Sequence, residues 1–176
     1  MFPKEKSYKL LIQQSIQQLR LASEHIEIIR KEMNEFASTL PEYETVMSMY
    51  GVGETYGPQL IAEIGDVSRF THREAITAFA GVDPGVNESG QFKQRSNRAS
   101  KNGSTRLRKT LFQVMSTYLQ NKPVNEPVYQ FLDRKRAEGK PYLVYMTAGA
   151  NKFLRIYYGK VKECLRNLEQ SQIEES

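Results

Sequence analysis

The sequence predicts a mainly α-helical protein: a long N-terminal coiled-coil helix, then a helical domain with a helix-hairpin-helix and an irregular basic loop. Three observations carry this prediction. Ile12, Leu19, Ile26, Met33 and Leu40 recur at every seventh position, and Ser15, Ala22, Ile29 and Phe36 form a second series offset by three. Gly51-Val52-Gly53 stands between two short apolar segments. From Lys93 to Lys109 there are seven cations and no acid, spaced by glycine, serine and asparagine.

Residues 5 to 40 read as one helix whose two heptad series make an a/d seam, the signature of coiled-coil pairing within or between chains. Ser15 and Ala22 are small, so the N-terminal half of the seam is the weaker half. Pro41 is expected to stop the helix, because proline cannot continue it. Residues 42 to 65 then read as the helix-hairpin-helix, with Val46 and Met49 on one helix and Leu60 and Ile61 on the other. The hairpin needs glycine for a turn at positive φ and for close backbone approach, so that amides at a helix N-terminus can meet a phosphate. Gly51, Val52 and Gly53 are therefore candidate nucleic-acid contacts, against the plainer alternative of a turn between two helices.

Thr71 is the expected N-cap of a helix from His72 to Ala80, with Glu74 as its capping-box partner and Ala75, Ile76 and Phe79 on the buried face. Gly81 closes that helix, and Val82-Asp83-Pro84-Gly85 is turn chemistry. Residues 86 to 102 read as loop, with a short hairpin near Gln91-Phe92. Ser104 is the expected N-cap of a helix to Asn121 that buries Leu107, Leu111, Val114, Met115 and Tyr118. A short helix from Val128 to Glu138 and a last helix from Tyr142 to Leu168 complete a domain over 41–170, with 171–176 as a frayed tail.

Composition narrows the classes. With 176 residues and 39% hydrophobic content, the chain is long enough for one domain plus an extension. A single cysteine, Cys164, excludes an internal disulfide and a multi-cysteine metal site, and its position on an apolar helix predicts a buried thiol. No apolar run approaches the ~20 residues that cross a bilayer, and no signal-peptide pattern opens the chain. A cytoplasmic protein with no membrane partner is expected.

The basic stretch is the most specific feature. Lys93, Arg95, Arg98, Lys101, Arg106, Arg108 and Lys109 are the cations, and the nearest acids are Glu88 and Glu126. A solvated helix face mixes signs, whereas an acid-free run favours a partner with repeating phosphates. Arg106, Arg108 and Lys109 fall in the first turns of a helix, where positive charge opposes the dipole and so needs another purpose. Glu88-Ser89-Gly90 opens the stretch, and Ser89 reads either as a nucleophile or as a turn residue; Ser100, also beside cations, is its competitor and otherwise an N-cap or phosphate contact.

These blocks follow one another as Gly-Val-Gly, AEIGDVSRF, AFAGVDP, ESG, ASKNG and LRKTL. In that order and spacing, over roughly residues 46 to 160, the chain resembles the C-terminal domain of the 116/110/902-type insertion-sequence transposases. The resemblance implies DNA recombination in transposition. It places the nucleophilic serine at Ser89, which would attack a DNA phosphodiester before a strand hydroxyl rejoins the DNA, with Lys93, Arg95, Arg98 and Lys101 as candidate stabilisers of the transition state. The loop over 83–103 is the catalytic loop in this reading. The resemblance also implies a separate RuvC-like domain whose carboxylates bind magnesium, a guide (bridge) RNA that members can use, and a homo-oligomer through the coiled coil. The carboxylate cluster has no candidate in this sequence, so the chain is expected to be a fragment, a split gene product or a degenerate copy, inactive alone and binding no cofactor itself. Asn102 stands where the family has arginine and Gln91 where it has glycine or lysine, changes that weaken binding without removing the serine. The alternative is a non-catalytic helix-hairpin-helix module that binds DNA and dimerises.

Overall fold

The computed structural model describes residues 4–83, 88–89, 92–93, 99 and 102–174, without the side chains of 4–6, 88–89 and 92–93. It is mainly helical, as the periodicities predict, and divides into two compact units, Met1–Phe36 and Ala37–Ser176.

The first unit is helical throughout its described length, within α1 (Lys4–Ala37). Its seam residues are uncovered: Ile12, Leu19 and Ile26 are 59%, 68% and 49% exposed. The helix ends before Leu40, contrary to the expectation that Pro41 stops it. Ala37 is buried, the Leu40 amide closes a turn onto the Ala37 carbonyl at 3.0 Å, and Leu40 packs against the core of the second unit. The last heptad position therefore belongs to the helical domain.

In the second unit, α2 (Tyr43–Met47) and α3 (Gly53–Ile64) are joined by a turn through Gly51 and Gly53, both at positive φ (76° and 53°). A 3-10 turn (Val67–Arg69) leads to α4 (Arg73–Ala80). The strands β1 (Glu88–Ser89) and β2 (Phe92–Lys93) pair antiparallel, with Glu88 opposite Lys93 and Ser89 opposite Phe92. Then come α5 (Thr105–Asn121), α6 (Pro127–Ala137) and α7 (Tyr142–Glu174). Lys122 leaves α5 in the left-handed conformation, and Pro127 opens α6 at a position where a missing N–H costs nothing.

The core forms where α7 packs on α2, α4, α5 and α6, and α3 packs on α2 and α5. Phe153, Leu154, Tyr157 and Val161 of α7 are at most 1% exposed, as are Leu107, Leu111, Val114 and Met115 of α5. Burial pushes the Tyr157 and Tyr118 hydroxyls far above the usual phenol range. Gly149 marks the closest approach of three helices. A Cβ there would collide with Leu132 of α6 and come within 3.0 Å of the Met115 sulfur of α5.

Three local expectations are corrected. Thr71 does not cap α4: His72 holds that position without a side-chain cap bond, and the Thr71 hydroxyl pairs with the His72 ring at 2.8 Å. Glu74 is drawn instead to Arg73 and to Arg155 of α7, at 3.1 and 3.0 Å. The last helix, expected to end at Leu168, continues to Glu174. Cys164 is half-buried rather than buried, with its sulfur 3.8 Å from the Pro41 carbonyl oxygen. Among the described residues, no helix is long and apolar enough to cross a membrane.

Candidate nucleic-acid interface

The loop that carries Ser89 leaves the helical domain after α4 and returns at α5, and these two ends are fastened together. Gly81 ends α4 in the left-handed conformation, and its amide closes back on the Ala78 carbonyl at 2.9 Å. On the return, the Ser104 amide donates to the Phe79 carbonyl at 2.7 Å. Gly103 lies so close to α4 that a Cβ would run into the Phe79 carbonyl oxygen, with the Gly81 nitrogen next in its way. The site thus has a fixed base whatever the course of the loop.

Further side chains secure that base. Ser104 caps α5 by accepting from the Leu107 amide at 3.1 Å, and its hydroxyl donates to a Glu63 carboxylate oxygen of α3 at 3.2 Å. Arg108 donates to the Ala80 carbonyl at 3.2 Å. That carbonyl lies at the C-terminus of α4, where the helix dipole concentrates negative charge, so a guanidinium is favoured there. Asn151 of α7 donates to the Val82 carbonyl at 3.3 Å. Arg69 donates to the Ile64 carbonyl at the end of α3 (2.8 Å), and its guanidinium lies over the rings of Phe79 and Phe70, at 4.5 and 4.6 Å. Asp66 holds the intervening turn by accepting from the Ser68 hydroxyl and amide at 2.6 and 2.8 Å, bonds that keep its carboxyl below the usual aspartate range.

The predicted site residues divide into several groups. Ser89 and Lys93 lie on the paired strands by backbone alone. Arg95, Arg98, Ser100 and Lys101 lie outside the described residues. Arg106 and Lys109 are exposed on the first turns of α5, while Arg108 is half-buried and committed to α4. Gly51 and Gly53 form the turn between α2 and α3, but the Val52 side chain is 1% exposed and belongs to the core. That turn rests on α5, with a Cβ at Gly51 falling 3.5 Å from the Tyr118 ring. Beside it is a cavity of ≈ 370 Å³ lined by residues 50–56, Thr117 and Asn121.

Sequence reasoning missed Glu63, Arg69 and Asn151. The first two sit inside the AEIGDVSRF block, whose linear pattern does not say what they bind. Asn151 had a usable signal, an amide placed among the apolar positions of α7.

Residues 43–130 match the model of a family described as Transposase IS116/IS110/IS902 family. The matched span runs from α2 into α6 and so contains the whole loop and its base apart from Asn151 of α7. No curated protein matches the chain.

Proposed function

The chain belongs to the IS116/IS110/IS902 transposase family and acts in insertion-sequence transposition, and from that premise we propose that it is the serine-bearing part of a DNA recombinase. The observation that carries the reading is the family match over a loop whose two ends are pinned at Phe79–Ser104 and Ala80–Arg108. A nucleophile on such a loop is anchored to a rigid scaffold, which is what in-line attack requires.

In the proposed reaction the Ser89 oxygen attacks a DNA phosphorus. A P–O bond to Ser89 forms, the P–O bond to one strand breaks, and that strand leaves as a hydroxyl. The serine proton passes to a base, because serine is a weak nucleophile at neutral pH. A strand hydroxyl then attacks the phosphoserine, restores the phosphodiester and frees Ser89. The cations of 93–109 other than Arg108 hold the phosphates and offset charge that builds at phosphorus.

Magnesium belongs, in this reading, to a separate RuvC-like domain. Among the described residues no three of His, Cys, Asp and Glu converge to hold a metal. The exposed seam of α1 supports self-association as a coiled coil; the cytoplasm as location and a guide RNA as a further partner beside DNA are parts of the same proposal. Leu19 and Ile26 have no other cover within that helix.

Covalent trapping tests the proposal. The chain is mixed with a matching RuvC-like domain, guide RNA, magnesium and labelled element-junction DNA. A detergent-resistant adduct that is lost in Ser89→Ala and kept in Ser100→Ala is expected. An adduct that survives Ser89→Ala moves the chemistry elsewhere. Binding with no adduct under any condition leaves a non-catalytic DNA-binding and dimerisation module.

A further inference from the structure

The cavity beside the Gly51–Gly53 turn has the wrong chemistry for the phosphate that the glycines suggest. Its lining holds no lysine or arginine and one acid, Glu54. Glu54 stands in the first turn of α3. A carboxylate there already complements the positive end of the helix dipole and repels a second anion. The cavity is a shallow depression open to solvent, with ≈ 370 Å³ of space, suited to a flat ring laid against its wall rather than to an enclosed ligand.

What the lining does offer is flat and hydrogen-bonding. Tyr50 and Tyr56 both line the cavity and are half-buried, reachable yet held. Tyr50 is braced by Tyr118, whose ring centre is 5.1 Å away at a 47° tilt. Glu54 and Asn121 are exposed, and no hydrogen bond or ion pair ties either side chain to another described residue. An aromatic wall with an acceptor carboxylate and a bifunctional amide is the donor–acceptor set that reads a base edge.

We infer that this cavity seats one unpaired nucleobase bearing an exocyclic amino group, stacked on tyrosine, with the amino group donating to Glu54 and Asn121 completing the edge. The inference rests on the nucleic-acid reading of the domain and adds a base contact to it. The hairpin then serves as a seat for an extruded or single-stranded base, at the C-terminal end of α5 where Thr117 and Asn121 lie.

The test is equilibrium binding of the full chain to short single-stranded oligonucleotides of deoxyadenosine, deoxycytidine, deoxythymidine and an abasic backbone of equal charge. Wild type is expected to bind the adenine and cytosine strands about 5- to 10-fold more tightly than the other two. Glu54→Leu, which removes the acceptor, and Asn121→Ala should each reduce that preference to near parity while the chain stays folded by its cooperative melting transition. A Glu54→Leu variant that keeps the wild-type preference for adenine and cytosine overturns the inference. Equal wild-type affinity for all four strands, with normal salt dependence, overturns the inference alone. A wild type that binds none of them overturns the nucleic-acid reading and the inference together.

Discussion

Gly103→Ala probes the base of the loop most directly. The added Cβ meets the Phe79 carbonyl oxygen and the Gly81 nitrogen, both backbone atoms at the end of α4, so no side chain can swing away to make room. The returning segment must shift. Such overpacking costs about 1–3 kcal/mol. The shift also weakens the Ser104–Phe79 bond of 2.7 Å, for about 0.5–1.5 kcal/mol. A total of roughly 2–4 kcal/mol lowers the melting temperature by roughly 4–16 °C at the ~2–4 °C per kcal/mol of a domain this size. Gly53→Ala is the control: a Cβ there has nothing within 4 Å, and only the φ of 53° is strained. Its cost should stay near ~1–2 kcal/mol. Differential scanning calorimetry separates the two. In the trapping assay at a temperature where the variant is folded, Gly103→Ala should lose adduct. A Gly103→Ala protein that melts with wild type would refute the close approach and with it the argument that the loop is pinned.

Other consequences follow from the same geometry. Arg108→Ala should cost about 1.5–3 kcal/mol in urea unfolding, because a charged hydrogen bond to Ala80 is lost. Arg106→Ala and Lys109→Ala should leave stability within ~0.5 kcal/mol and each reduce the salt slope of DNA binding by about 1. Leu19→Asp with Ile26→Asp should leave the helical domain folded but abolish self-association in sedimentation, whereas a wild type that stays monomeric at high concentration removes the coiled coil. Acid should destabilise the domain through Asp66, Glu74 and Glu138. The Ser68 hydrogen bonds, the Glu74 amide with Arg73 and Arg155, and Lys135 respectively hold these three below their ordinary values of 3.8, 4.5 and 4.5. A depressed folded pKa gives stability that is complete above the unfolded value and lost as pH falls through the folded one. The urea midpoint should therefore hold above about pH 5.5 and drop below about pH 4, less steeply in Glu74→Gln.

Much of the fold was legible because its determinants are local. α5 could be read from a serine cap and an apolar stripe, and the structure buries all five residues that the stripe names. The end of α1 was misread because the proline is a sufficient reason for a helix to stop but not the earliest one. Ala37 enters the core first, and the chain turns there. Thr71 and Glu74 form a good local capping pair on paper. The competitor, Arg155, is 81 residues away, and no local pattern announces it. The same holds for the loop base, where Glu63 meets Ser104 across 41 residues and Asn151 meets Val82 across 69.

This changes how the basic stretch should be counted. By sequence, Arg108 is one of seven equal cations awaiting phosphate, and its place in the first turns of α5 is an unexplained cost. In the fold its charge is used at the C-terminus of α4, where it joins the exit and the return of the loop. Arg69 does comparable work at the end of α3. Arg108, which looks available for DNA, is therefore scaffold like Arg69, and Arg106 and Lys109 are the described cations of the run whose side chains are exposed. A domain built this way separates two tasks. Arginines engaged by a helix-end carbonyl, the exposed Arg69 and the half-buried Arg108, close helix ends and fix where the loop begins, and those without such a bond are left to meet phosphate. Removing an arginine of the first kind should disturb the reaction through the fold, at any salt concentration. Removing one of the second kind should act through affinity alone and fade as salt rises.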